Sequence, residues 1–205
     1  MVKTREVKPG MIAWEITRVC NLNCVHCRAA ASRGPYSGEL STKQCLNLID
    51  EIAAFAQPVI ILTGGEPLMR PDIFEIATYG TKKGLRMVLA TNGTLVDNQV
   101  ARKMINSGIQ RVSISIDGKD TQSHDVFRAE QGAFAGAMRG IEKLKTAGME
   151  FQINTTITTV NLRQIQEIQS LAINLGAAAH HLFLLAPTGR GRDLAEPAIT
   201  AADYQ

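Results

Sequence analysis

The segment MIAWEITRVCNLNCVHC, residues 11–27, joins a strand-length apolar run to three closely spaced cysteines. Its first part, residues 11–17, has the length and apolar content of a β-strand. Cys20, Cys24 and Cys27 follow in the spacing C-x3-C-x2-C. In a reducing compartment so tight a cluster is more often a metal site than a disulfide framework. The segment therefore predicts a strand that ends in a metal-binding loop.

Three thiolates on one short loop can hold three corners of an iron–sulfur cube or three positions around a zinc ion. The spacing differs from the C-x2-C-x2-C run of ferredoxins and from the paired C-x2-C of zinc ribbons. Three ligands leave one metal position open, as in catalytic sites. A zinc site would need His26 or Cys45 as a fourth ligand. His26 lies awkwardly between two of the cysteines, and Cys45 is expected to be a buried apolar side chain in a helix.

Strand-length apolar runs and helical patterns alternate along the rest of the sequence. The further predicted strands cover residues 59–62, 86–90, 111–116, 151–157 and 180–186. The predicted helices cover residues 41–56, 71–84, 97–107, 134–147 and 162–175. Glycines at 84, 108, 148 and 176 end four of these helices, as loops from helix to strand require. This alternation implies right-handed crossovers and a parallel sheet.

The composition is that of an ordinary globular domain, with 205 residues of which 45% are hydrophobic and 20% charged. The net charge of +3, from 22 basic and 19 acidic residues, is too small and scattered to indicate nucleic-acid binding. No apolar stretch reaches the ~18 residues that a membrane span needs. The charged N-terminus lacks the apolar core of a secretory signal. We therefore expect a cytoplasmic protein with neither a nucleic-acid nor a membrane partner.

A second unusual segment, Gly64-Gly65-Glu66-Pro67, follows the second predicted strand. In parallel βα folds, ligands bind at the carboxyl ends of the strands. Glycines at such a position let the backbone approach a ligand closely. Glu66 adds a carboxylate that can accept hydrogen bonds from an ammonium group.

The combination of C-x3-C-x2-C after strand one with G-G-E-P after strand two resembles the radical S-adenosylmethionine (SAM) superfamily, over essentially the whole chain. The resemblance implies an α/β fold, a partial (β/α)6 TIM-like barrel of the radical SAM type over residues 11–190. Residues 1–10 would be a lead-in. Residues 191–205 would begin a truncated C-terminal segment whose auxiliary-cluster domain is absent.

The resemblance also implies two cofactors, a [4Fe–4S] cluster and SAM. Cys20, Cys24 and Cys27 would bind three irons, and the amino and carboxylate groups of SAM would chelate the fourth. One-electron reduction would cleave SAM to a 5′-deoxyadenosyl radical that abstracts a substrate hydrogen. The expected electron donor is a flavodoxin or a ferredoxin-type protein.

Seven positions match the family's SAM-binding pattern: Gly64, Gly65, Glu66, Ser115, His26, Asn92 and Ala186. The glycines and Glu66 would meet the methionine end of SAM, and Ser115 would make a polar contact to SAM. His26 and Ala186 would lie beside the adenine, and Asn92 would face the site.

Four sequence segments resemble those of a tetrapyrrole-modifying subgroup that acts in the siroheme-dependent route to haem: residues 13–18, 27–29, 180–183 and 188–191. This implies oxidative decarboxylation of two propionates of iron-coproporphyrin III to vinyl groups. Alternatives are deacetylation of didecarboxysiroheme, haem d1 chemistry, and peptide modification by relatives with a C-terminal auxiliary cluster. In this subgroup an auxiliary [4Fe–4S] cluster, bound by cysteines of a C-terminal extension, is expected to accept the electron that decarboxylation releases. The given sequence departs from that pattern because it has no cysteine after Cys45. The non-enzyme alternative is a zinc or iron–sulfur module for structure or electron transfer.

No catalytic residue is assigned from the sequence. Five polar residues are expected on the substrate side of the barrel: Glu15, Gln152, Asn154, Arg190 and Arg192. Polar side chains in a barrel lumen are costly unless they meet a ligand or one another. Six arginines are placed at the rim: Arg28, Arg33, Arg70, Arg128, Arg190 and Arg192. Each could pair with a propionate carboxylate, although a solvated surface position is the expectation for any one of them, and the glycine-flanked Arg190 and Arg192 are the better candidates.

Overall fold

Within residues 7–193 and 199, which the computed structural model describes, six strands pair in chain order into one parallel sheet. They are β1 (Met11–Thr17), β2 (Val59–Gly64), β3 (Arg86–Thr91), β4 (Val112–Ser115), β5 (Phe151–Ile157) and β6 (His180–Leu184). β1 and β6 are the two edges of this sheet. The predicted α/β fold with a partial barrel is confirmed.

Six helices connect the strands: α1 (Thr42–Phe55), α2 (Ile73–Lys82), α3 (Asn98–Asn106), α4 (Thr121–Arg128), α5 (Ala133–Thr146) and α6 (Ile165–Leu175). α1 begins with a capping box, in which the Ser41 and Gln44 side chains accept each other's backbone N–H. The four predicted helix-ending glycines have the positive φ of left-handed caps. These local signals fix where each helix stops and the next strand begins.

The two faces of the sheet lie in different environments. The face that packs against the helices carries fully buried apolar side chains, including Ile60, Leu62, Met87, Leu89, Ile114 and Ile153. The alternate positions point to the concave side, where Glu15, Thr63, Ala90, Ser115 and Asn154 line one cavity. Because all strands run in the same direction, the loops that follow them meet at one end of the sheet.

α4 was not predicted from the sequence. This helix is short and has only two adjacent apolar residues, Val126 and Phe127, so it lacks an apolar period. Its capping box, formed by Asp120 and Ser123, is the signal that could have revealed it.

Other element ends differ slightly from the predictions. β6 ends at Leu184, and α6 begins at Ile165 after a short 3₁₀ turn at Leu162–Gln164. The predicted lead-in at 1–10 and C-terminal segment at 191–205 fall largely outside the described residues. None of the helices in the described ranges is both long enough and apolar enough to cross a membrane.

Arg70 was expected at the rim, and this prediction is wrong because its side chain is buried. Its guanidinium donates to the carbonyls of Ile16 at 3.0 Å and Leu40 at 2.8 Å, and Nε donates to Asp72 at 2.7 Å. Burial opposes the ionised form of Asp72, but the hydrogen bonds that Arg70 and Thr42 donate to the carboxylate outweigh it and lower its pKa. Arg70 therefore ties the end of β1 to the starts of α1 and α2.

We expect Arg70→Met to lower the free energy of unfolding by about 3 kcal/mol, because it leaves two backbone carbonyls without their donor and removes the guanidinium from the half-buried Asp72 carboxylate. Urea unfolding measures this change. Arg102→Met, at an exposed position of α3, is the matched control and should change stability by less than about 0.5 kcal/mol. Equal effects from the two variants would contradict the assigned role.

Candidate active site

Backbone hydrogen bonds hold the cysteine loop to its own later residues and to α4. Cys20 N–H donates to the Ser32 carbonyl at 2.8 Å, and Val25 N–H donates to the carbonyl of Phe127 in α4 at 3.2 Å. The first three cysteines are free thiols that line the same cavity, which has a volume of about 450 Å³. Cys45, by contrast, is fully buried in the main core, as predicted.

Each of the three cavity-lining sulfurs accepts a hydrogen bond from nitrogen. Leu22 N–H donates to Cys20 Sγ at 3.4 Å, and Ala31 N–H donates to Cys27 Sγ at 3.3 Å. The Arg128 guanidinium donates to Cys24 Sγ at 3.6 Å. Such bonds stabilise negative charge on sulfur and tune iron–sulfur clusters. This donor set fits a thiolate-bound cluster.

Two further observations describe the cysteine side chains. Burial raises the pKa of the Cys20 thiol to about 11, so a metal must displace a proton to bind there. Among the described residues, no three His, Cys, Asp or Glu side chains converge as ligands of a single metal ion would.

The two glycines that end β2 lie directly against the start of the cysteine loop. A Cβ on Gly64 would lie 2.2 Å from the Thr17 carbonyl oxygen, and one on Gly65 would lie 2.3 Å from that of Val19. Gly65 N–H donates to Thr17 at 2.7 Å, and Glu66 N–H donates to Val19 at 2.8 Å. Only glycine permits this approach, which places both residues at the cavity wall.

The carboxylate of Glu66 is fully buried and does not face the cavity. It accepts hydrogen bonds from Leu68 N–H at 3.0 Å, Thr91 O–H at 2.7 Å and Asn92 N–H at 2.8 Å. Burial raises its pKa, and these three bonds oppose the rise. Glu66 thus braces the loops after β2 and β3 against each other, and its contact with SAM stays a prediction.

A buried ion pair lies behind Cys24. Arg128 Nη2 is 2.5 Å from Asp117 Oδ2, and both side chains are buried. Asp117 Oδ1 accepts from Thr156 N–H at 2.7 Å, which fixes the carboxylate at the end of β4. Burial opposes the charged form of Arg128, but the adjacent Asp117 carboxylate outweighs it and raises the pKa of the guanidinium. Arg128, expected at the rim, is therefore a buried cation of the site.

His26 stacks on Phe127, with ring centroids 4.3 Å apart. Burial lowers the pKa of His26 to about 4, so the ring is neutral at pH 7 and its 3.7 Å approach to Asp117 is not an ion pair. Within the described part of the chain, two buried side-chain atoms of this site, His26 Nδ1 and Arg128 Nε, have no hydrogen-bond partner, whereas Asp117 Oδ2 is paired with Arg128 Nη2. Unpaired buried polar atoms are expected where a polar ligand is to be bound.

The lumen side chains predicted on the substrate side are partly paired with one another. Glu15 forms an ion pair with Arg28 at 2.5 Å, and both line the cavity. Gln152 donates to Asn154 at 2.9 Å and lies 3.2 Å from His181. Glu15, Arg28 and Asn154 line the cavity with the cysteines, whereas Gln152 does not.

The remaining predicted residues differ in placement. Asn92, Ser115 and Ala186 line the cavity with the cysteines. Arg190 also lines it, but its guanidinium donates to backbone carbonyls of the cysteine loop. Arg192 is exposed.

A fold and a site of this kind define a class of enzyme, and sequence comparison identifies it. The chain belongs to the radical SAM superfamily, whose family model matches residues 14–172. The superfamily binds a [4Fe–4S] cluster and SAM, so the predicted cofactors are confirmed.

Within the superfamily, the chain is similar to curated proteins of haem synthesis. An AdoMet-dependent heme synthase of Methanosarcina barkeri is 51% identical over 197 residues, covering 96% of this chain and 56% of the relative. That of Nitratidesulfovibrio vulgaris is 52% identical over 195 residues, covering 95% and 53%. An Fe-coproporphyrin III synthase of M. barkeri is 42% identical over 168 residues, covering 82% and 42%. The chain spans about half the length of the curated relatives it matches.

Solved structures share the fold. SuiB of Streptococcus suis bound to its precursor peptide SuiA superposes with a TM-score of 0.76 at 16% identity, covering 87% of this chain and 40% of that one. The protein anSMEcpe with bound AdoMet and Cp18Cys peptide gives 0.73 at 20% identity, covering 95% and 56%.

We expect Glu66→Gln to lower the free energy of unfolding by about 2 kcal/mol. The carboxylate accepts hydrogen bonds from three donors, and in the variant the amide NH₂, itself a donor, must face at least one of them. Chemical denaturation of the cluster-free protein measures the loss. Glu51→Gln, at an exposed position of α1, is the control. A Glu66 variant as stable as this control would show that the Glu66 hydrogen bonds do not contribute to the free energy of unfolding.

Proposed function

We propose that Cys20, Cys24 and Cys27 bind three irons of the [4Fe–4S] cluster and leave the fourth iron open to SAM. One observation carries the proposal: the three thiols line one cavity, and a nitrogen donor is directed at each sulfur. Cys45 takes no part because it is fully buried beside Arg70 and does not line the cavity.

SAM is bound by the walls of the same cavity. The Gly64–Gly65 backbone meets the methionine end, where no side chain intervenes. Arg128 offers a buried positive charge with an unpaired Nε–H, which suits the methionine carboxylate. Ser115 and Asn92 supply polar contacts, and the neutral ring of His26 lies beside the adenine.

A cluster held by Cys20, Cys24 and Cys27 would supply one-electron reduction of SAM, which would give methionine and a 5′-deoxyadenosyl radical able to abstract a substrate hydrogen. The chain's own residues hold SAM against the sheet and shield it from water. The proposed source of the electron is a flavodoxin or a ferredoxin-type protein.

The proposed substrate is iron-coproporphyrin III, and the reaction is oxidative decarboxylation of two propionates to vinyl groups, which gives haem. Support comes from the relatives named AdoMet-dependent heme synthase, which are more similar to this chain than the Fe-coproporphyrin III synthase is. The propionate β-hydrogen sits on an unactivated carbon, which a primary alkyl radical can attack. Each decarboxylation would also release CO2 and one electron, for which the acceptor proposed from the subgroup is an auxiliary [4Fe–4S] cluster in a C-terminal extension. Glu15, Gln152 and Asn154 are the proposed substrate-side residues.

Single cysteine variants test the ligand set. After anaerobic reconstitution, we expect Cys20→Ala, Cys24→Ala and Cys27→Ala each to lose the cluster, because two thiolates cannot hold the cube against exchange. Iron and sulfide analysis measures this loss. Cys45→Ala is the control and should retain the wild-type iron content. Loss of iron from the Cys45 variant, or a colourless wild-type protein with one zinc, would contradict the proposal.

The substrate is tested by product analysis. The full-length protein, reduced and supplied with SAM, is incubated separately with iron-coproporphyrin III and with didecarboxysiroheme. We expect mass spectrometry to show the loss of two carboxyl groups from the first compound and no change in the second. Loss of acetate side chains from didecarboxysiroheme would assign the protein to the other branch of the subgroup.

A further inference from the structure

The segment that follows β6 crosses the open side of the barrel and contacts the cysteine loop. This segment is a short 3₁₀ turn at Gly189–Asp193. Because β1 and β6 are opposite edges of the sheet, no strand pairing joins them within the described residues. The turn is therefore the place where the last strand reaches the loop that follows the first.

Arg190 makes three hydrogen bonds to carbonyls of the cysteine loop. Its Nε donates to Cys24 at 2.8 Å, its Nη1 donates to Ala31 at 2.7 Å, and its backbone N–H donates to Cys27 at 3.0 Å. Two of the three acceptors belong to proposed cluster ligands. A guanidinium holds its donors in a fixed planar fork, so one side chain sets the relative positions of several carbonyls.

The residue before Arg190 supports the same contact independently. A Cβ on Gly189 would lie 2.2 Å from the Arg28 carbonyl oxygen and 2.4 Å from that of Cys27. Its φ of +56° is also unfavourable for other residues. The turn therefore packs backbone against backbone on the cysteine loop, and the fit requires glycine.

We propose that Arg190 is a positioning residue. Its hydrogen bonds hold the cysteine loop against the segment that follows β6, and they keep the cysteine thiolates in the geometry that retains the cluster. This inference rests on the proposed function, since it presumes that the loop binds a cluster. It replaces the expectation that Arg190 pairs with a substrate propionate, because two of its three guanidinium nitrogens already serve the loop. Groups behind a metal's direct ligands commonly change metal affinity by about 10–100-fold.

The test measures how fast the reconstituted protein loses iron to a chelator under anaerobic conditions. We expect Arg190→Gln to lose iron about 10-fold faster than wild type, because Gln offers one donor group in place of the fork. Arg190→Lys should be intermediate. Arg163→Gln, at an exposed position in the 3₁₀ turn after β5, is the matched control and should behave as wild type.

Circular dichroism of the cluster-free proteins checks that each variant folds. Should Arg190→Gln fail to fold, Gly189→Ala perturbs the same contact without removing the arginine and should also accelerate iron loss. Wild-type iron retention in the folded Arg190→Gln variant, or in Gly189→Ala if that one alone folds, would overturn the inference while leaving the proposed function intact. A wild-type protein that takes up no cluster would overturn the proposed function and, with it, the positioning role of Arg190.

Discussion

The contact on which the site depends is the direct approach of the β2 end to the backbone that follows β1. Gly64 and Gly65 leave no room for a side chain, so hydrogen bonds from residues 65 and 66 reach Thr17 and Val19. This contact fixes where the cysteine loop leaves the sheet. Glu66 extends it to β3 through Asn92, so one short motif aligns three strand ends.

Buried charge gives the site its chemical character. Arg128 and Asp117 are paired behind Cys24, at a desolvation cost that apolar residues would avoid. A cluster of thiolate-bound irons is anionic, and a fixed cation beside one sulfur stabilises that charge without the reorganisation that water would require. Two polar atoms at the same place, His26 Nδ1 and Arg128 Nε, are buried without a hydrogen-bond partner and are therefore available to a ligand. The site is thus suited to binding a charged ligand.

Sequence reasoning could predict the architecture and the position of the cysteine loop after the first strand, because strand–helix alternation and C-x3-C-x2-C are local patterns; the ligand role of the cysteines stays a prediction. It could not predict which arginines bind other parts of the protein instead of a ligand or solvent. Arg70, Arg128 and Arg190 look alike in sequence, yet each reaches partners distant along the chain that only the folded sheet brings near. Glu66 was correctly placed at a strand end, but its carboxylate points to neighbouring loops because three donors surround it.

The central claim is that three protein thiolates hold the cube and leave one iron for SAM. Mössbauer spectroscopy of ⁵⁷Fe-reconstituted protein, with and without SAM, tests this most directly. The account predicts that SAM shifts the signal of one iron, about a quarter of the total for a four-iron cluster. A spectrum in which all four irons stay equivalent after SAM is added would contradict it.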